Sequence, residues 1–166
     1  MAGRDHRYEV QLEWTGNTGA GTPNYAGYGR SYALRVDGKP TILGSSDAQF
    51  RGISTRWNPE DLLVASLSAC HHLWYLHLCA EAGVNVIAYS DDASGVMVEN
   101  SDGSGQFTAV VLRPTVTITA GSDREKARSL HHDAARYCFI ARSMKFPVGH
   151  EPTIIVESHG GGYGVY

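Results

Sequence analysis

The side chains of this chain best suited to chemistry are its thiols, with a carboxylate and a cation that could serve them. Cys70 follows Glu60 by ten residues in NPEDLLVASLSAC, Cys79 follows Cys70 by nine, and Cys138 lies far downstream in RYCFIARSMKFPV. Nine residues of helix turn the chain by about 180°, so Cys79 faces away from Cys70 and reads as a small buried hydrophobe. Cys138 falls on a second helical segment. Two thiols on two packed helices make a redox pair, in which one sulfur is oxidised and the other closes a disulfide with it; two inert core residues are the alternative. The histidines offer a metal reading, with His71, His72 and His77 near Cys70, and His131 beside His132. Adjacent histidines on a helix point about 100° apart, and neither HExxH nor paired CxxC spacing is present, so neither a metal nor a cofactor is expected.

These residues need elements to position them. Asn58 is a good N-cap, Pro59 suits the first helical position, and Glu60 and Asp61 favour the positive end of the helix dipole. Leu62, Leu63, Leu67, Ala69, Leu73, Trp74, Leu76 and Leu78 lie around most of the circumference, which predicts a central helix buried on nearly every side until Gly83 ends it. The stretch from Leu62 to Ala80 is apolar enough to suggest a membrane span, but Ser66, Ser68, His71, His72 and His77 would put several polar groups in hydrocarbon, so a buried helix is expected and no membrane. Ser122 to Glu125 reads as a capping box for a second helix, along which Ala127, Leu130, Ala134, Tyr137, Cys138 and Ala141 keep helical spacing.

Strands surround the helices. Tyr8, Val10, Leu12 and Trp14 alternate as in a half-buried strand, and Tyr32, Leu34 and Val36 repeat the pattern up to the turn at Asp37-Gly38. Between them, Thr15 to Arg30 is rich in Gly, Asn and Tyr and reads as a long ordered loop. Val84 to Tyr89, Gly95 to Glu99, Gln106 to Leu112 and Thr115 to Thr119 predict an antiparallel meander, and Thr153 to Glu157 a last strand. The order strands, helix, strands, helix, strand is an α+β pattern with sheet faces covering two helices.

At 166 residues, 42% hydrophobic and 19% charged, the chain is expected to form one globular domain over 1–166, with a flexible Gly-rich tail at 158–166. A net charge of -3 with 14 scattered Lys and Arg leaves no footprint for nucleic acid. The start, MAGRDHRYEV, lacks the apolar core of a secretory signal, so a cytoplasmic location with reduced thiols is expected.

The segment NPEDLLVASLSACHHLWYLHLCAEAG resembles the first cysteine motif of the OsmC/Ohr family of organic hydroperoxide reductases. It matches in the Asn-Pro-Glu start, the Ala- and Ser-containing stretch and the cysteine ten residues after the glutamate. CFIARSMKFPV is similar to the family's second cysteine motif in place and order, although many members have proline directly after that cysteine and this chain has Phe139. The resemblance runs from about Tyr8 to Glu157. It implies an OsmC-like fold of antiparallel sheets wrapped around two long helices in an intertwined homodimer. It also implies reduction of organic hydroperoxides through a Cys70–Cys138 disulfide, Cys70 being the peroxidatic thiolate, Cys138 the resolving cysteine, and a dithiol, of lipoyl type in one branch, the reductant.

By the same resemblance Glu60 is the family's glutamate and Arg30 its arginine, with Arg35, Arg51 and Arg56 as nearby alternatives. A cation beside a thiol favours the thiolate, and a glutamate can orient the guanidinium through a bidentate pair. Leu73, Trp74 and Tyr25 or Tyr28 are candidates to line an apolar pocket beside Cys70. Ten residues of straight helix put Glu60 ~15 Å along the axis from Cys70, so either the chain bends or Glu60 of one subunit serves Cys70 of another. A binding protein for a small hydrophobic ligand, with non-catalytic cysteines, is the alternative function.

Overall fold

The computed structural model describes residues 3–157; the tail expected to be flexible at 158–166 lies outside the described residues. The chain divides into two compact units, one ending at Leu63 and the other beginning at Val64.

The first unit carries three antiparallel strands, β1 (Gln11–Trp14), β2 (Tyr32–Arg35) and β3 (Ile42–Gly44), with Leu12 opposite Leu34 and Leu34 opposite Ile42. The alternation from Tyr8 predicts a longer, half-buried strand. Pairing instead begins at Gln11, and every residue of β1 is exposed, so this apolar face is uncovered within the single chain. The long loop between β1 and β2 is pinned at its neck by Thr15 N–H donating to Ser31 O and Gly29 N–H donating to Gly16 O, both at 2.9 Å. A Cβ on Gly16 would lie 2.1 Å from Gly29 O, so only glycine lets the two arms close. Beyond β3, Ser45 N–H donates to Trp57 O at 2.9 Å, which sets the entry to α1 (Pro59–Glu81).

Asn58 caps α1 as expected, its Oδ1 accepting from Asp61 N–H at 2.7 Å. Gly83 ends it with φ of 72°, a left-handed conformation that suits glycine. The expectation of burial on nearly every side is corrected: the buried residues are Leu67, His71, Tyr75 and Cys79, one stripe at spacing four, while Leu73 is 65% exposed. The stripe packs with Val116, Ile118, Leu130, Ala134 and Ile154 through Tyr75 and Cys79, which puts Cys79 in the core as a small hydrophobe. Trp74, Leu76 and Leu78 pack partly buried against the same core, so burial grades off on either side of the stripe. By length and hydropathy α1 could cross a membrane, but the middle of its buried stripe is a polar seam, described below.

In the second unit β4 (Val86–Asp91) pairs with β7 (Pro114–Ile118), and β5 (Ser94–Glu99) with β6 (Gly105–Leu112), both antiparallel. The four runs expected to form a meander are thus one long hairpin, turning at NSDGSG and bent where Asp92 meets Arg113. β8 (Val148–His150) and β9 (Thr153–Val156) then add parallel to β6 and β7, giving sheets ordered β5-β6-β8 and β4-β7-β9. Sheets and helices together make an α+β fold. The second helix, α2 (Arg124–Tyr137), is capped by Asp123, whose carboxylate accepts from Glu125 and Lys126 N–H. The expected cap, Ser122, is used elsewhere: its Oγ accepts from Asn85 N–H at 2.9 Å.

The bend in the hairpin is held by one carboxylate. Asp91 accepts from Ser68 Oγ–H of α1 at 2.5 Å and from Arg113 N–H at 2.6 Å, while the Arg113 guanidinium reaches Ser94 Oγ at 2.8 Å and Glu151 at 3.1 Å. Replacing Asp91 by Ala leaves a part-buried hydroxyl and a backbone N–H without their acceptor, so Asp91→Ala is expected to lower stability by about 1–3 kcal/mol. Asp91→Asn should fall between it and the parent, as read by urea unfolding.

Candidate functional site

The resolving-cysteine candidate sits where a helix stops. Cys138 has extended backbone (φ -62°, ψ 109°) after α2, its N–H still donating to Ala134 O, and it opens the short α3 (Phe139–Arg142). Its Sγ accepts from Ala141 N–H at 3.4 Å, so the thiol itself is the cap of α3. Cys138 is 1% exposed, Cys70 half-buried, and the two thiols are free. The two thiols are neighbours: burial first, and then the adjacent Cys70 thiol, push the Cys138 thiol up to about 11. Cys138 is therefore a protonated thiol at neutral pH, in contact with the sulfur it would have to attack. The structure brings together the two cysteines singled out in the sequence.

Beside them runs a polar seam between α1 and α2. His71 Nε2 and His131 Nδ1 lie 2.9 Å apart with their rings stacked, and Tyr75 stacks on His131 at 3.8 Å while its hydroxyl donates to Ala127 O at 3.1 Å. His131 Nε2 is buried with no partner. An orphaned lone pair costs less than an orphaned N–H, so the favoured tautomer carries the His131 proton on Nδ1 and donates it to His71. Burial drives both imidazoles toward the neutral form, His71 down to about 4 and His131 to about 3, with His150 lowering His71 further and His71 lowering His131. His150 tilts against both rings, at 5.6 Å and 6.2 Å. Among the described residues no group of three or more His, Cys, Asp or Glu side chains is placed to hold a metal ion. The sequence marked His71 and His131 as metal candidates and did not mark His150, since a histidine on a short strand 79 residues from His71 carries no spacing signal.

In the first unit, the structure does not form the ion pair expected of Arg30 with Glu60. The Arg30 guanidinium donates to the carbonyls of Tyr25 and Tyr28 and lies over their rings, at 4.6 Å and 4.0 Å from the centroids. Its loop thus satisfies it. Arg35, one of the alternatives, pairs with Glu13 at 2.5 Å. Glu60 keeps Oε2 buried without a hydrogen-bond partner, close enough to Tyr32 that its charge, after burial, raises the phenol. A buried carboxylate oxygen left unpaired is costly, which marks Glu60 as an acceptor awaiting a donor.

Of the apolar side chains expected near Cys70, Trp74 stacks on Tyr137 at 5.2 Å and meets Phe139 edge-on at 5.6 Å, so the two aromatic residues flanking Cys138 rest on the helix that carries Cys70. Tyr25 and Tyr28 are engaged with Arg30 instead.

The family model described as OsmC-like protein matches residues 52–152. Among solved structures, an OsmC-like protein of unknown function from Vibrio cholerae is 31% identical, with 89% of this chain and 99% of that chain covered and a TM-score of 0.80. Two more distant structures share the fold. An organic hydroperoxide resistance protein from Elizabethkingia anophelis is 17% identical, covering 93% of this chain and 100% of that one, with a TM-score of 0.64. The organic hydroperoxide resistance protein OhrB of Bacillus subtilis is 20% identical, covering 89% and 98%, with a TM-score of 0.57. No curated protein matches the chain.

The buried histidines make stability depend on pH. Their folded values lie below the unfolded value near 6.5, so the unfolded chain binds more protons between the two, and the stabilisation is fully present above about pH 6.5. It is lost as pH falls toward 4, by up to about 1.4 kcal/mol per pH unit for each histidine. Urea midpoints taken from pH 7.5 to pH 4.5 should fall steadily below 6.5; a flat series would mean the pair is not buried neutral.

Proposed function

Because the chain belongs to the OsmC-like protein family, we propose that it is a cysteine-based peroxidase that reduces organic hydroperoxides to alcohols. The observation that carries this reading is the contact between the two thiols, one half-buried and one buried at a helix junction. In the proposed cycle the Cys70 thiolate attacks the outer oxygen of the hydroperoxide, the O–O bond breaks, and the alkoxide leaves as alcohol with a proton. Cys70 is then a sulfenic acid. Cys138 attacks it, the S–S bond forms, and the hydroxyl departs as water. A dithiol, of lipoyl type by family resemblance, returns both cysteines to thiols, so the protein needs no cofactor or metal.

Arg30 and Glu60 complete the proposed site as the cation that favours the Cys70 thiolate and the carboxylate that orients it. For this, Arg30 has to exchange the carbonyls of Tyr25 and Tyr28 for Glu60, a change that the unpaired Glu60 oxygen would reward. α1 is continuous from Pro59 to Glu81, which argues against a bend between Glu60 and Cys70. We therefore assign the Glu60 that serves Cys70 to the partner in a homodimer. The exposed apolar faces of β1 and α1, such as Leu12 and Leu73 at 65% each, support such a partner. The protein is proposed to work in the cytoplasm, as a single domain over 1–166.

Mass spectrometry of the reduced protein after one equivalent of cumene hydroperoxide tests the cycle. The expected products are a Cys70–Cys138 disulfide in the parent, a trappable sulfenic acid on Cys70 in Cys138→Ser, and no reaction in Cys70→Ser. Thiols that stay unmodified would leave the binding-protein reading, with both cysteines as core. Arg30→Met and Glu60→Gln are each expected to slow hydroperoxide consumption at least about tenfold while leaving the disulfide able to form. Unchanged rates in both would remove these residues from the site.

A further inference from the structure

The proposed cycle leaves one proton without a destination. Cys138 must lose its thiol proton as it attacks, and in this structure the thiol is 1% exposed and caps α3, so bulk water does not reach it. A cavity of about 10 Å³, room for about one water molecule, adjoins it, lined by Cys138, His71, Ala135, Val148 and His150 among others. Two imidazoles of the neighbouring cluster are committed: His71 and His131 are buried and bonded to each other. His150 is different. It sits at the end of β8, half-buried, with one side toward the cavity, and among the described residues its ring forms no hydrogen bond.

We infer that His150 takes up the Cys138 thiol proton through this water-sized cavity when the disulfide closes, an inference that rests on the peroxidase reading of Cys70 and Cys138. As Cys138 Sγ attacks the sulfur of the Cys70 sulfenic acid, its S–H bond breaks and the proton passes by way of the cavity to the imidazole. The S–O bond of Cys70 breaks, and the departing hydroxide takes a proton from solvent at the half-buried Cys70. His150 returns its proton to solvent, so the sum is thiol plus sulfenic acid to disulfide plus water. A thiol raised to about 11 is a poor nucleophile at pH 7 unless a base removes its proton during attack. Burial, and then the charge of His132, lowers His150, so at neutral pH its lone pair is available. The titratable groups around it are His71 from α1, His131 and His132 from α2 and Cys138 at the junction; the adjacent Glu151 is spent on Arg113.

The test times the two steps separately in the full chain. Reduced parent and His150→Gln are mixed with one equivalent of cumene hydroperoxide, quenched over time with dimedone and N-ethylmaleimide, and analysed by mass spectrometry from pH 6.5 to 8.5. Formation of the sulfenic acid should be equal in the two. Disulfide closure should be at least about tenfold slower in the variant at pH 7, with sulfenic acid accumulating. The parent's closure rate should be flat across this range, whereas the variant's should climb by up to about tenfold per pH unit as Cys138 ionises by itself.

Equal closure rates with equal profiles would overturn the inference. So would equal slowing of both steps in His150→Gln and His150→Asn, which is general damage to the fold. If the parent forms no sulfenic acid, it is the peroxidase reading that fails. The same comparison is then made by loading Cys70 with 5,5′-dithiobis(2-nitrobenzoate) and timing release of the second thionitrobenzoate, which reports attack by Cys138 without any peroxide. A second release slower and more pH-dependent in the variant upholds the role of His150, and identical releases reject it.

Discussion

One buried hydrogen bond, from His131 Nδ1 to His71 Nε2, sets the register of the two long helices. Neither imidazole has water to turn to, so a slip of α1 along α2 would strand two ring nitrogens at a cost of about 1–3 kcal/mol for each. Tyr75, one turn along α1, fastens the same seam by donating to Ala127 O and stacking on His131. With those partners fixed, the residues beside them are fixed too. Cys70 precedes His71 and Cys138 lies seven residues after His131, so the seam that satisfies the histidines also brings the thiols into contact.

Burial then differentiates the two sulfurs. Cys138 ends α2 and caps α3, positions that use its N–H and its Sγ at once and leave it 1% exposed and firmly protonated. Cys70 sits on the face of α1 next to the buried stripe and stays partly open. An accessible sulfur in contact with a shielded one suits a division of labour in which the first meets the oxidant and the second is spared until the first has reacted. The uncharged histidines extend the same condition around Cys138: neither His71 nor His131 carries a positive charge at neutral pH that would hold a second thiolate there.

The first unit shows what happens where charge partners are not fixed. Arg30 is satisfied within its own loop by two carbonyls and two tyrosine rings, and Glu60 keeps an unpaired oxygen. A guanidinium offers five donors and can exchange one set of acceptors for another, here in a loop pinned at its neck by the Thr15–Ser31 and Gly16–Gly29 backbone bonds.

What the sequence determined by itself were the local features. The Asn58-Pro59 start and Gly83 end of α1, the strands at Tyr32 and Gln106 and the α+β order follow from capping chemistry and side-chain alternation, which depend on neighbours a few residues away. The cysteine motif placed Cys70 and Cys138 as a pair by resemblance. Tertiary structure decided the rest. The bend that turns a meander into one long hairpin depends on Asp91 meeting Ser68 and Arg113, and the parallel strands β8 and β9 depend on sheet edges formed far upstream. Even the second cap moved from Ser122 to Asp123, because the Ser122 hydroxyl had a distant partner in Asn85. The gathering of His71, His131 and His150 against Cys138 left no trace in spacing, since contacts between residues 60 and 79 positions apart are set by packing and not by period.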